Sequence, residues 1–180
     1  DAALVAKGLK DALSGGKTLM TDQEVKETLM ALQQEIMAKQ QARMKEAGEK
    51  NKKDGEAFLA ENKAKEGVKT LPSGLQYKVI TEGKGKKPAA TDTVSVNYRG
   101  TLIDGTEFDS SFKRNQPATF PVNGVIKGWT EALQLMKEGS KWQLFIPSDL
   151  AYGERGAGAA IGPNATLIFE VELLSIKSEK

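Results

Sequence analysis

The chain changes character once, at KEGVKTLPSG (residues 65–74), and that change limits what each side can fold into. Residues 1–66 contain no Pro, Trp or Tyr, whereas all 6 Pro, 2 Trp and 3 Tyr lie beyond them, with most of the β-branched residues. A stretch free of Pro can run as uninterrupted helix, while aromatic and β-branched residues suit the pleated surface of a sheet. Gly67, Pro72 and Gly74 break helical periodicity between the two. The sequence therefore predicts an all-α region over residues 1–66 and a sheet-containing domain over residues 67–180.

In the first region, Ala2 to Leu13 predicts a short helix with Leu4, Val5, Leu9, Ala12 and Leu13 on one side, stopped by Ser14-Gly15-Gly16. Thr21-Asp22-Gln23-Glu24 is a capping box, in which each end satisfies a free backbone N–H of the other, so a long helix starts there. Val25, Leu29, Leu32 and Ile36 recur at helical spacing, and Met30, Met37 and Met44 recur every seventh residue. Past Met44 the stripe stops until Phe58 and Leu59, with Gly48 and Gly55 inside the polar stretch between. A helix that is polar all round bridges solvent and is supported by its own ion pairs. Glu35–Lys39, Glu46–Lys50, Glu49–Lys53 and Glu61–Lys65 have the favourable order, each pair adding about 0.2–0.5 kcal/mol. Run from Asp22 to Glu66, this helix is on the order of 65 Å long at about 1.5 Å per residue. Its early stripe needs apolar surface opposite it. A second copy of the chain is the simplest source, and packing on the short first helix alone is the other.

In the second region Val94, Val96 and Tyr98 alternate with polar residues, and Asp104-Gly105 signals a hairpin turn. Trp142 to Ile146 and Thr166 to Ile176 also alternate, with Leu167, Phe169, Val171 and Leu173 on one face. Between these strands Trp129, Leu133 and Met136 fall on one face of a single short helix. Several strands and one helix predict an antiparallel sheet wrapped around that helix, an α+β domain preceded by the all-α region with its one long connecting helix.

Composition excludes whole classes of chemistry. With Cys 0 and His 0, there are no disulfides, no thiolate chemistry and no Ser-His-Asp or Cys-His mechanism, and a transition-metal site lacks its usual ligands. A net charge of +2 is too small and too mixed to point to nucleic acid. No apolar run is long enough to span a bilayer. The chain opens at Asp1 inside a helical pattern and reads as a processed or truncated form, which can have lost targeting information. What remains is the aromatic set Tyr98, Phe108, Phe120, Trp129 and Tyr152, with the carboxylate of Asp109 next to Phe108. Such residues can build an apolar cup with few polar groups, suited to a reaction that needs no nucleophile, metal or cofactor. Taken singly, each aromatic reads as core and Asp109 as a turn cap or surface charge. Trp142 and Tyr77 read as packing residues, and the Lys-rich runs at 50–53 and 84–87 as solvated faces, with a membrane surface as the other reading of those runs.

The runs YRGTLIDGTEFDSS, GVIKGW, LAYGERG and PNATLIFEVELL, in this order and spacing, resemble the signature of FKBP-type peptidyl-prolyl cis/trans isomerases across residues 67–180. KGLKDALSG, the capping box and GEAFLAENKAKEGV resemble the macrophage infectivity potentiator (Mip) subfamily of bacterial FKBPs. The resemblance implies an FKBP-like fold and acceleration of X–Pro bond rotation in proline-containing polypeptide clients, with no cofactor or metal. It also implies chaperone activity, binding of macrolide inhibitors of the rapamycin type, and a V-shaped homodimer joined through residues 1–44. The location it implies is the periplasm, or the bacterial outer membrane or cell surface, with the cytoplasm as the alternative.

By the same resemblance Asp109, Tyr152 and Phe108 carry catalysis, Asp109 facing the rotating carbonyl electrostatically and Tyr152 donating its hydroxyl to a substrate carbonyl. Trp129 resembles the pocket floor, and Tyr98, Phe108, Val125, Ile126 and Phe169 its walls, with Phe120 beside them. Arg114 resembles the partner that orients Asp109, and Ile161 a lip residue in the loop over the site. The chain departs from the family pattern in three places. Ala118 stands for a wall aromatic, Gly156-Ala157-Gly158-Ala159-Ala160 lacks a His and an Ile, and Lys127 stands for an Arg. Placed at the rim, these predict altered sequence preference and macrolide affinity with catalysis retained. Two other readings differ in kind: a proline-peptide binding module without catalysis, and a structural adaptor whose helices do the main work.

Overall fold

A computed structural model describes residues 2–15 and 20–177. Gly16, part of the predicted stop of the first helix, lies outside the described residues. The chain divides into two compact units, Asp1–Arg43 and Met44–Lys180, and the division falls inside the long helix.

The first unit holds α1 (Ala2–Leu13) and the first half of α2 (Asp22–Asn62). The capping box forms as predicted: Thr21 N donates to Glu24 Oε2 at 2.8 Å, and Glu24 N donates to Thr21 Oγ1 at 3.3 Å. These hydrogen bonds to Thr21 hold the Glu24 carboxyl below its ordinary value. Glu35 and Lys39 pair at 2.6 Å, whereas Lys50 turns to Asp54 rather than to Glu46. Leu4, Val5 and Leu9 of α1 and Leu29, Leu32, Ile36 and Met37 of α2 all remain exposed. The short helix therefore does not bury the stripe of the long one.

The second unit contains the rest of α2, a seven-stranded sheet and α3 (Lys127–Leu135). The strands are β1 (Val68–Thr70), β2 (Gln76–Thr81), β3 (Thr93–Leu102), β4 (Glu107–Ser110), β5 (Ala118–Pro121), β6 (Lys141–Ile146) and β7 (Leu167–Lys177). They run in the order β1-β2-β6-β7-β3-β4, with β5 also paired to β3, and every pairing is antiparallel. The predicted hairpin at Asp104-Gly105 joins β3 to β4, closed by Leu102 N donating to Thr106 O at 2.9 Å. Alternation does what it predicts: Val94, Val96 and Tyr98 of β3 and Leu167, Phe169, Val171 and Leu173 of β7 turn inward. They meet Trp129, Ala132 and Leu133 of α3, and Met136 just past it, in one core. Trp142 and Tyr77 are packing residues, stacked with ring centroids 4.3 Å apart.

Two expectations about α2 need correction. The helix ends at Asn62 rather than Glu66. Its last turn tightens into i→i+3 bonds, Ala64 N to Glu61 O at 3.2 Å and Lys65 N to Asn62 O at 3.0 Å, before Gly67 turns the chain at φ 80°. Nor does the polar stretch after Met44 bridge solvent. Gly48, Gly55 and Asn62, seven residues apart, are buried against the sheet domain. A Cβ at Gly55 would lie 2.3 Å from Thr166 Oγ1, so only glycine lets the helix backbone come this close. Phe58 meets Phe145 with ring centroids 6.0 Å apart, and Asn62 Nδ2 donates to Gln76 Oε1 at 3.0 Å. The helix docks through small and polar residues, not through a large apolar face.

Candidate active site

A cleft of about 710 Å³ opens over α3, between β3, β4, β5 and β7 and the loop after β6. Its lining includes Tyr98, Phe108, Asp109, Phe120, Val125, Ile126, Trp129, Tyr152, Ile161 and Phe169. Every residue that the resemblance assigned to catalysis or binding, Arg114 apart, therefore lines one cavity. Arg114 stands behind it, bonded to Asp109 and Tyr98.

Trp129 lies at the base, 4% exposed. Tyr98, Phe120 and Phe169 meet it edge to face at centroid distances of 5.3, 6.0 and 5.2 Å. This geometry sets the positive edge of one ring against the negative face of another and locks the rings into a rigid wall. Phe108 extends the wall, edge-on to Phe169 at 5.5 Å.

Phe108 and Asp109 are sequence neighbours that line the same cleft, which a regular strand forbids because successive side chains point to opposite faces. A bulge resolves the conflict. Gly100 pairs with Asp109, but Thr101 pairs with Glu107, which leaves Phe108 as the extra residue and re-aims it. Gly100 also opposes Phe169 on its other side. A Cβ there would lie 2.6 Å from Phe108 Cζ and 2.7 Å from Phe169 Cε1, so the missing side chain makes room for both rings.

The polar edge of the cleft is a triangle. Tyr98 Oη donates to Asp109 Oδ2, Arg114 Nη1 donates to Asp109 Oδ1, and Arg114 Nη2 donates to Tyr98 Oη at 2.7 Å. The chain after β4 makes this possible by folding back on β3. Tyr98 N donates to Ser111 Oγ and Ser111 N to Tyr98 O, both at 2.9 Å, and Asn115 turns at φ 49°. Arg114 is thereby set over the Tyr98 ring, 5.5 Å from its centroid. For Asp109, partial burial opposes the charge, but hydrogen bonds from Tyr98 and Arg114 outweigh it and hold the carboxyl below its ordinary value. Burial, then the hydrogen bond to Asp109, pushes the Tyr98 phenol up. Tyr152 is 42% exposed at the mouth, just before the turn Gly153–Arg155.

The lip is a short closed loop. Ala157 N donates to Ile161 O at 2.8 Å and Ile161 N to Ala157 O at 3.1 Å. Gly124, Ala157, Gly158, Ala159 and Ala160 also line the cleft, and residue-type reasoning did not assign them to the site. Small side chains carry no chemical signature, and their one signal was the departure of that loop from the family pattern. Of the three departures, only the loop lines the cleft. Ala118 pairs with Val96 in the sheet, and Lys127 opens α3.

An antiparallel sheet over one helix, with an aromatic cleft and a single carboxylate on its wall, defines the class of FKBP-type isomerases. The family model "FKBP-type peptidyl-prolyl cis-trans isomerase" matches residues 84–174, and "Domain amino terminal to FKBP-type peptidyl-prolyl isomerase" matches residues 1–79. The chain belongs to this family of enzymes. It is 53% identical to Outer membrane protein MIP of Legionella longbeachae, over 97% of this chain and 75% of that protein. To Peptidyl-prolyl cis-trans isomerase Mip of Coxiella burnetii it is 52% identical, over 99% of this chain and 78% of the relative. The crystal structure of FkpA from Escherichia coli superposes with a TM-score of 0.83 at 43% identity, covering 98% of this chain and 82% of that one.

Proposed function

We propose that this chain accelerates rotation about X–Pro bonds in polypeptide clients, with the cleft over Trp129 as its active site. The observation that carries the reading is the pairing of an aromatic cup with one oriented carboxylate at its wall. Rotation must break amide resonance over a barrier of about 20 kcal/mol. At the twisted state the nitrogen loses conjugation and the carbonyl dipole turns. An apolar cup excludes the water that stabilises the planar amide, and a fixed polar group meets the turned dipole. A ten-thousandfold gain corresponds to about 5.5 kcal/mol, within reach of such a site.

In this reading the proline ring sits on Trp129 between Tyr98, Phe108, Phe120, Val125, Ile126 and Phe169. Asp109 meets the rotating carbonyl, held by Tyr98 and Arg114. Tyr152 at the mouth donates to a substrate carbonyl, and Ile161 covers the site. Macrolides of the rapamycin type occupy the same cup. The test is exchange of a proline tetrapeptide followed by NMR or by a protease-coupled assay. Binding without acceleration would reduce the chain to a recognition module.

We further infer that the chain works as a homodimer through residues 1–44 and protects unfolded clients as a chaperone. The uncovered apolar stripe of α1 and α2 supports the dimer. The name Outer membrane protein MIP on a relative supports a place in the bacterial envelope. Among the described residues, no helix is long and apolar enough to cross a membrane.

A further inference from the structure

The loop that carries the lip of the cleft is anchored at its far end by α2. Asn51 Nδ2 donates to Pro163 O at 2.8 Å, and Asn164 Nδ2 donates to Gly48 O at 3.3 Å. Pro163 is buried beneath the helix, and a Cβ on Gly48 would lie 3.2 Å from Pro163 Cβ. A Cβ on Gly162 would lie 3.0 Å from Asn51 Nδ2. The helix thus grips three consecutive residues, 162–164, immediately after Ile161. The loop itself has little slack. Asn164 N donates to Gly153 O at 2.8 Å across its neck, and Ala157 and Ile161 bond to each other nearer its tip. These bonds tie the neck and the tip of the loop, so the seat of residues 162–164 bears on where residues 157–161 stand over the cleft.

We propose that α2 positions the lip of the active site, with Asn51 and Gly48 acting on substrate through Pro163, Asn164 and the loop they hold. They are positioning residues: neither lines the cleft. The proposal rests on the reading of the cleft as an isomerase site, and it gives the segment of α2 after Met44 a part in substrate binding. A lip built from Ala and Gly makes few contacts of its own, so its placement matters more than its side chains.

The test compares Asn51→Ala with Asn62→Ala in the full chain. Both remove a side-chain hydrogen bond of α2, but Asn62 bonds to Gln76 and leaves the lip loop alone. Alanine is a good helix former, so neither change weakens α2 itself. In Asn51→Ala, amide hydrogen exchange at Ala157 and Ile161 should speed up about fivefold, the size expected for one lost hydrogen bond. KM for a proline tetrapeptide should rise about threefold with kcat little changed, the pattern of a lost binding contribution. Asn62→Ala should lower Tm and leave both readouts in place. Unchanged exchange at the lip in Asn51→Ala would overturn the proposal, as would the same lip exchange in both variants. Faster exchange with KM unchanged would also overturn it, since the lip would then lie outside substrate binding. If the native chain does not turn over the peptide at all, the functional reading fails separately, and exchange still decides whether α2 holds the loop.

Discussion

At the residue scale, the triangle of Tyr98, Asp109 and Arg114 decides how the site behaves with pH. Asp109 is held ionised below the ordinary carboxylate range, chiefly by hydrogen bonds from Tyr98 and Arg114 that outweigh its partial burial. Tyr98 is held protonated above the ordinary phenol range by burial and by Asp109. Neither group titrates between about pH 5 and 9, and the chain has no histidine to do so. The peptide kcat/KM should therefore be flat across that range, and a bell with a limb near neutrality would contradict the arrangement. The sign for stability follows from the depressed carboxyl. Its contribution is fully present above the pKa of Asp109 in the unfolded chain and is lost as pH falls through the lower folded value. The Asp109 side chain is 42% exposed and Arg114 49%, so this contribution is small. For the same reason Asp109→Leu should fold with little change in Tm. Its kcat/KM should drop by about a hundredfold if the carboxylate meets the turned carbonyl, the scale seen when a preorganised polar group is removed. Tyr152→Phe removes one hydroxyl at the mouth, and its loss of kcat/KM should be about tenfold or more. Normal turnover in both variants would sink the assigned roles.

At the scale of elements, α2 depends on close approach. Gly55→Ala places a methyl 2.3 Å from Thr166 Oγ1. The overpacking costs about 1–3 kcal/mol, offset by up to about 1 kcal/mol from the better helix propensity of Ala. Thermal denaturation should show a net fall in Tm of several degrees, at about 2–4 °C per kcal/mol for a chain of this size. Thr166→Ala should recover part of that fall in the double variant, because the two sites touch and their effects do not add. This contact also marks where sequence reasoning stopped. β3, β6, β7 and the short helix were legible because large apolar residues alternate along those three strands and recur with helical period in α3. The capping box and the Asp104-Gly105 turn were legible because their chemistry is local. The docked face of α2 was not, since Gly48 and Gly55 bury backbone and Asn62 a polar side chain, rather than hydrocarbon. The seven-residue spacing of these three was the available signal. Residue type grouped the aromatic members of the cleft with Asp109 as a possible cup, but their separate roles were legible only through motif resemblance, because each alone reads as core or turn. The bulge that turns Phe108 and Asp109 into one cavity depends on pairing across strands, which no local pattern carries.

For the whole molecule, the deciding surface is the stripe on α1 and α2 that the chain leaves uncovered. Leu29 is 59% exposed and Ile36 55%, seven residues apart on one helix, with Leu32 and Met37 beside them. A soluble chain seldom leaves such a run in water, and a helix of this kind gains its stability by packing its apolar face. Burying the stripe against a second copy would contribute about 1.5–3 kcal/mol for each large side chain removed from solvent. Light scattering should therefore give a mass of twice 19.4 kDa. Leu29→Glu combined with Ile36→Glu should return it to the single-chain value, since a buried carboxylate would face apolar surface on both copies. The two assays should then separate. Turnover of a tetrapeptide needs one cleft and should be unchanged in the double variant, because residues 29 and 36 lie far from it in sequence and outside its lining. Proline-limited refolding of a protein client should slow, since two weak sites on one assembly gain from effective concentration and a single site does not. A native chain that scatters as a monomer, or a monomeric variant that refolds clients as fast as the native chain, would leave the stripe without this role.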